Sequence, residues 1–154
     1  MTNSTTTSNK VLNIGIIGCG LIGQKRAAAL GAGGKLVACA DTHLARAETL
    51  AKKFNAEAYD TWQALIARKD IDAVVIATLH DSLAEITLVA VESGKHVLVE
   101  KPAARNPAEL VPVIAAAKKL NRKVHVGFNH RYHRALQKAK QLIDSGAIGE
   151  LMFI

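Results

Sequence analysis

Residues 11–23 read V-L-N-I-G-I-I-G-C-G-L-I-G, a short apolar run that ends in glycines spaced G-x-G-x-x-G. A run of that length is a strand, and the glycines turn it into a helix that starts at Leu21 and continues to about Leu30. Each glycine answers a different demand. Gly18 allows the tight turn, Gly20 lets the backbone approach a pyrophosphate, and Gly23 lets the helix pack closely on the sheet. Leu21 and Ile22 carry free N–H groups at the positive end of the helix dipole, where anionic phosphates are held. The spacing by itself also fits an ordinary strand–helix–strand unit with a glycine-rich turn, so its meaning depends on the residues downstream of Gly23.

A glycine-rich break at Gly31, Gly33 and Gly34 leads to a second strand over residues 35–40, which ends at Asp41. A carboxylate roughly 20 residues past the glycines is placed to accept hydrogen bonds from an adenosine ribose. Asp41, with Thr42 beside it, fills that position. The carboxylate favours NAD because it repels the 2′-phosphate of NADP. Arg46 is a counter-signal, since an arginine near that pocket accommodates the phosphate, and NADP stays open.

The rest of the chain alternates between the two periodicities. Leu44, Ala47, Leu50, Ala51 and Phe54 have helical spacing over residues 43–54, and a short extended piece at 56–59 precedes Thr61, a predicted N-cap for a brief helix. That helix carries Trp62, Leu65 and Ile66, all read as core. Residues 72–77, D-A-V-V-I-A, form a strand covered on both faces. After Ala77 it ends in Thr78, Leu79, His80 and Asp81, on the edge where such folds bind ligands. Ser82 and Glu85 have the spacing of a capping box, and Gly94 closes the helix that they open.

Residues 95–99 make the next strand and run straight into Glu100, Lys101 and Pro102. Asn106 and Pro107 start another helix, and Pro112 predicts an irregular first turn within it. A strand over 123–128 is followed by Asn129, His130, Arg131 and Tyr132. Ala135, Leu136, Ala139, Leu142 and Ile143 then form one helical stripe, stopped by Gly146. Strand and helix in alternation mean an α/β chain: a Rossmann-type, doubly wound, mainly parallel sheet with helices on both faces.

At 154 residues the chain is one domain in size. The expected division is a disordered polar tail over 1–10, a dinucleotide-binding domain over 11–149, and the start of a further strand over 150–154. No apolar run reaches the roughly 20 residues of a membrane helix, and the first nine residues lack the regions of a signal peptide. Cys19 and Cys39 have no metal-ligand spacing and read as free buried thiols, which suits the cytoplasm. The histidines at 80, 125, 130 and 133 show no metal geometry, so no metal is expected. The net charge of +7 gathers in a stretch free of acidic residues from Lys118 to Lys140. Such a stretch is a solvated face, steers an anionic cofactor or meets an acidic partner surface, and the nucleic-acid reading that it also prompts ranks last.

These motifs, in this order, resemble the glucose–fructose oxidoreductase, inositol dehydrogenase and rhizopine-catabolism family, Gfo/Idh/MocA. The resemblance rests on G-C-G-L-I-G at 18–23, Asp41, G-K-H-V-L-V-E-K-P at 94–102 and G-F-N-H-R-Y at 127–132. It implies reversible hydride transfer between a nicotinamide cofactor and a hydroxyl-bearing carbon of a sugar, inositol or related polyol. Lys101 matches the lysine that hydrogen-bonds the reacting oxygen and assists proton transfer, and Glu100 matches the acid beside the nicotinamide. The resemblance also implies a second α/β domain, absent from this chain, which supplies an aspartate and a histidine and through which members form homo-oligomers.

Many members read T-P-x-x-x-H after the central strand. Here the sequence has Thr78, Leu79 and Leu83, which removes the histidine and leaves backbone contacts from Ala77 to Leu79. Asn129 and Arg131 are open between contact with the cofactor or second domain and a structural role. A catalytically silent dinucleotide sensor, like a galactose-regulon repressor of the family, is the alternative function. A sensor has no need of Lys101.

Overall fold

The computed structural model describes residues 10–152. Strands β1 (Leu12–Ile17), β2 (Gly34–Ala40), β3 (Glu57–Tyr59), β4 (Ala73–Ile76), β5 (His96–Val99) and β6 (Val124–Val126) form one parallel sheet in the order β3-β2-β1-β4-β5-β6. Between them lie α1 (Leu21–Ala28), α2 (Leu44–Phe54), α3 (Trp62–Ala67), α4 (Leu83–Glu92) and α5 (Leu110–Lys119), and α6 (Arg134–Asp144) follows β6. The sheet reverses its strand order at β1 and β4, which leaves a crevice beyond their carboxyl ends.

Side chains alternate across the sheet and feed two cores. Ile14, Ile16, Cys39 and Val75 pack with Ala27 of α1 and with Ala47, Leu50 and Ala51 of α2. Ile17, Ala38, Ala40, Val74, Ile76, Val97 and Val99 pack on the other face with Leu65 and Ile66 of α3 and with Leu83, Ile86, Ala90 and Val91 of α4. Strands buried on both faces need to be apolar throughout, which is why β4 and β5 show no polar alternation. The β1–β2 register slips between Ile14 and Gly15, with Val37 as the extra residue. That bulge puts Leu36 and Cys39 on one face although they are three residues apart.

Helix ends follow the sequence unevenly. Gly94 and Gly146 stop α4 and α6 with φ of +81° and +69°. In both, the next residue donates back to the carbonyl five residues earlier, Lys95 to Ala90 and Ala147 to Leu142. Asn106 caps a short 3-10 turn, Pro107–Glu109, its side chain accepting from the Glu109 N–H at 3.3 Å. This turn is the irregular start that Pro112 predicts, and it places the proline in the first turn of α5, where a missing N–H breaks no helical bond.

The Ser82–Glu85 capping box does not form. Ser82 already has near-helical backbone angles, and its hydroxyl donates to Thr78 Oγ1 at 2.9 Å and to the Leu79 carbonyl at 3.1 Å instead. Thr61 stands at the N-cap of α3 without a side-chain cap bond.

Lys10, assigned to the tail, donates to Asp72 Oδ1 at 2.6 Å, while residues 1–9 lie outside the described region. Residues 150–152 carry no strand, and 153–154, the rest of that expected strand, also lie outside it. The apolar stripe of α6 is present but faces solvent: Leu136 is 50% and Ile143 40% exposed. Lys95, which no sequence pattern distinguishes, is buried. Its ammonium donates to the Ile71 carbonyl at 2.9 Å, and burial holds its pKa below the ordinary lysine value. Among the described residues no helix is long and apolar enough to cross a membrane.

Candidate functional site

The crevice at the strand switch is a cleft of about 810 Å³. Its floor is the turn after β1, with Gly18, Gly20, Leu21 and Ile22; its walls are Asp41, Thr42, His43 and Arg46 on one side and Ala77, Thr78 and Leu79 on the other. The turn is shaped by its own packing. Gly18 has φ +92°, and a Cβ there would lie 2.5 Å from the Ala77 carbonyl oxygen. A Cβ at Gly23 would collide with the carbonyl oxygen of Gly18.

Gly20 is different, because a Cβ there meets nothing within 4 Å. The protein's packing does not call for a glycine at 20, whereas a ligand lying against the backbone would. The first N–H groups of α1 have no partner within the helix and adjoin this open space, which is the donor set that a pyrophosphate takes.

Asp41 is held more tightly than its sequence position suggests. Its side chain is 8% exposed. Oδ2 accepts from the Cys19 N–H and Oδ1 from the His43 N–H, both at 2.8 Å. The carboxylate thus ties the glycine turn to the end of β2. Each oxygen keeps a second lone pair for a hydroxyl donor from the cleft. Cys19 and Cys39 lie beneath the turn as free, buried thiols. The hydrogen bond with Cys39, together with burial, holds the Cys19 thiol far above its ordinary pKa, so it stays protonated.

The carboxyl edge continues past the cleft. Beyond β5 the Ala103 N–H donates to the Glu100 carbonyl at 2.9 Å, closing a turn with Lys101 at its exposed tip and a cis Lys101–Pro102 bond. Lys101 makes no side-chain hydrogen bond among the described residues. Glu100 points inward, and its Oε1 accepts from Arg26 Nε at 2.6 Å and also from the terminal Nη2. Asn129 and Arg131 lie in a 3-10 turn, Asn129–Tyr132, at the far end of the edge; both are exposed and neither lines the cleft.

The structure therefore gathers Gly18, Gly20, Leu21, Ile22, Asp41, Thr42, Arg46, Ala77, Thr78 and Leu79 around one space. Gly23 braces the turn from behind. Glu100 and Lys101 are one strand farther along, and Asn129 and Arg131 farther still. Asp81, read at the strand edge, lines the wall, and sequence reasoning missed His43, Asp60, Gln63 and Ser82, which complete it, and Arg26. Trp62, read as core, has two roles: it packs, partly buried, against the core beneath α3 and also faces the cleft. A second hollow, about 550 Å³ between α5 and the β5–β6 side of the sheet, is mostly apolar with basic residues at its mouth.

Known proteins share this arrangement. Residues 12–128 match a family described as "Oxidoreductase family, NAD-binding Rossmann fold". The chain is 36% identical over 149 residues to an inositol 2-dehydrogenase of Gluconacetobacter diazotrophicus, covering 93% of this chain and 44% of that protein. It is also 36% identical to a levoglucosan dehydrogenase of Pseudarthrobacter phenanthrenivorans, covering 92% and 39%.

The crystal structure of myo-inositol 2-dehydrogenase from Lactobacillus plantarum superposes with a TM-score of 0.85 at 27% identity, over 92% of this chain and 43% of that one. A 3-ketoreductase from Actinomadura kijaniata in complex with NADP gives 0.83 at 28% identity, over 90% and 45%. The chain thus spans less than half the length of the relatives it matches. With the glycine turn, the strand order and these matches in agreement, the chain belongs to the Gfo/Idh/MocA family of oxidoreductases, which carry an NAD-binding Rossmann fold.

Proposed function

We propose that this chain is the cofactor-binding part of an NAD(P)-dependent dehydrogenase acting on a hydroxyl-bearing carbon of a sugar, inositol or related polyol. The observation that carries the reading is the shared carboxyl edge. It carries a glycine turn at the start of α1, a held carboxylate and an exposed lysine, in chain order from β1 to β5. Gly20 and the start of α1 would hold the pyrophosphate, Asp41 and Thr42 the adenosine ribose, and the backbone from Ala77 to Leu79 the middle of the dinucleotide. The nicotinamide, when bound, supplies the hydride acceptor or donor. Lys101 meets the substrate oxygen, stabilising negative charge there and passing its proton. Glu100 shapes the turn that presents it, and Asn129 and Arg131 extend the same edge toward substrate.

Inositol and levoglucosan, named for the relatives, fit this chemistry because both offer ring hydroxyls to a cationic donor. Residues 11–149 form the dinucleotide-binding domain, and 150–154 lead toward a second domain that completes the substrate wall. The free thiols fit the reducing cytoplasm. We take NAD as the preferred cofactor, since the Asp41 carboxylate on the cleft wall would repel a 2′-phosphate, with Arg46 on the same wall as the counter-signal.

Calorimetric titration of the 154-residue chain with NADH and NADPH tests this reading. Saturable binding that prefers NADH, and that weakens about tenfold in Asp41→Ala under conditions where urea unfolding shows that variant to be folded, is the expected result. A preference for NADPH would move the specificity to Arg46. Binding of neither would overturn the assignment of the cleft.

A further inference from the structure

The ion pair between Arg26 and Glu100 lies outside the cleft, yet it is among the most enclosed on the molecule, with side chains 18% and 11% exposed. Three elements converge on it. Arg26 comes from α1, the helix that starts at the glycine turn, and Glu100 from the end of β5. Gly127, just past β6, is the third: its N–H donates to the Val99 carbonyl at 2.8 Å. A Cβ at 127 would come 2.6 Å from the Arg26 guanidinium and 3.2 Å from Glu100 Oε1. The absence of a side chain there gives the guanidinium its room.

We propose that Arg26 is a positioning residue for Lys101: by gripping the Glu100 carboxylate it anchors the first residue of the turn that carries the lysine. This rests on the proposed role of Lys101 at the substrate oxygen. The exit of the turn is held by Ala103, buried in the core, and its tip is not held. Lys101 and Pro102 are exposed, and the closing bond runs from Ala103 back to Glu100 itself. Backbone pairing of the Glu100 N–H to the Ile76 carbonyl at 2.9 Å fixes only the entry to the turn. The grip of Arg26 on the side chain fixes its rotation. The helix that supplies the phosphate cradle thereby also sets the base of the lysine turn, so both ends of the reacting edge are referred to one rigid element.

Native-state hydrogen exchange of the 154-residue chain separates positioning from mere stability. In Arg26→Met the Ala103 amide, which closes the turn, is expected to lose about tenfold more protection than core amides such as Val75. Arg26→Lys keeps the charge but loses the planar fork, and should recover part of that difference. If Arg26→Met does not fold, Gly127→Ala carries the same test, since its methyl presses on the guanidinium; the expected effect has the same direction and is smaller.

Equal loss of protection at Ala103 and Val75, or no change at Ala103, overturns the proposal. NADH titration of the unaltered chain is read separately. A failure there removes the dehydrogenase reading without touching the exchange result.

Discussion

The two halves of the carboxyl edge are built differently. Around β1, β2 and β4 the residues bond to one another: Asp41 takes two backbone N–H groups, the Gly18 N–H donates to the Ala40 carbonyl, and Ser82 ties Thr78. Around β5, β6 and α6 Glu100 is enclosed by its pair with Arg26, and most other polar groups stand in solvent. Lys101, Asn129 and Arg131 have no side-chain bond among the described residues, and the apolar stripe of α6 has no cover there. The first half is a preformed cleft whose carboxylate and turn are already held in place by the protein's own hydrogen bonds. In the second, most of the polar groups are exposed and nothing among the described residues covers them. On the proposed reading, binding a dinucleotide and acting on a substrate are separable properties, carried by different parts of this edge.

Substitutions in the two halves should differ accordingly. The largest effect is expected at Gly18→Ala, where a side chain meets both φ +92° and the Ala77 carbonyl. A loss of about 3 kcal/mol in urea unfolding is expected, and a loss below about 1 kcal/mol would mean that the turn is softer than its packing indicates. Next is Asp41→Ala, which strands two N–H donors and should cost about 2 kcal/mol by the same measurement, before any ligand is added.

A smaller effect belongs to the amino end of the first half, where Asp72 joins Lys10 to the Asn13 N–H. The hydrogen bond from Lys10, then that from Asn13, holds the Asp72 carboxyl below its ordinary pKa. The native state therefore binds this proton less readily than the unfolded chain. The tie contributes above the usual carboxylate range and is lost as pH falls through that range to the lowered native value. Because Lys10 is exposed, Asp72→Asn should cost only about 0.5 kcal/mol at neutral pH and should flatten the acid limb of the stability curve. The smallest effects are expected in the open half. Lys101→Met and Leu136→Ser should each change unfolding free energy by less than about 0.5 kcal/mol, and a larger loss in either would show that the open half is locked by contacts of its own.

Much of the first half was legible in sequence because its signals are local. Glycine spacing, a carboxylate at a strand end and apolar runs of strand length each depend on a few consecutive residues. The grip of Arg26 on Glu100 was not legible: its partners are 74 positions apart, and nothing in an arginine inside a helix names the carboxylate it will meet. The Ser82–Glu85 spacing misled for the opposite reason. A local pattern was present, but Thr78 and Leu79 offered the serine hydroxyl nearer partners once the chain turned after β4. For α6 the stripe was real, and periodicity states that a face is apolar without stating what lies against it.

The double tie on Asp41 bears on coenzyme engineering. Changing preference from NADH to NADPH usually starts by replacing the acidic residue at the end of the second strand, to admit a phosphate. In this chain that residue is also the peg on which the glycine loop hangs. A redesign has to keep an acceptor for the Cys19 and His43 amides, as an asparagine oxygen does for one of them, while Arg46 is left to greet the new anion. Screens that replace Asp41 with small apolar residues would select against folding and read the result as lost affinity.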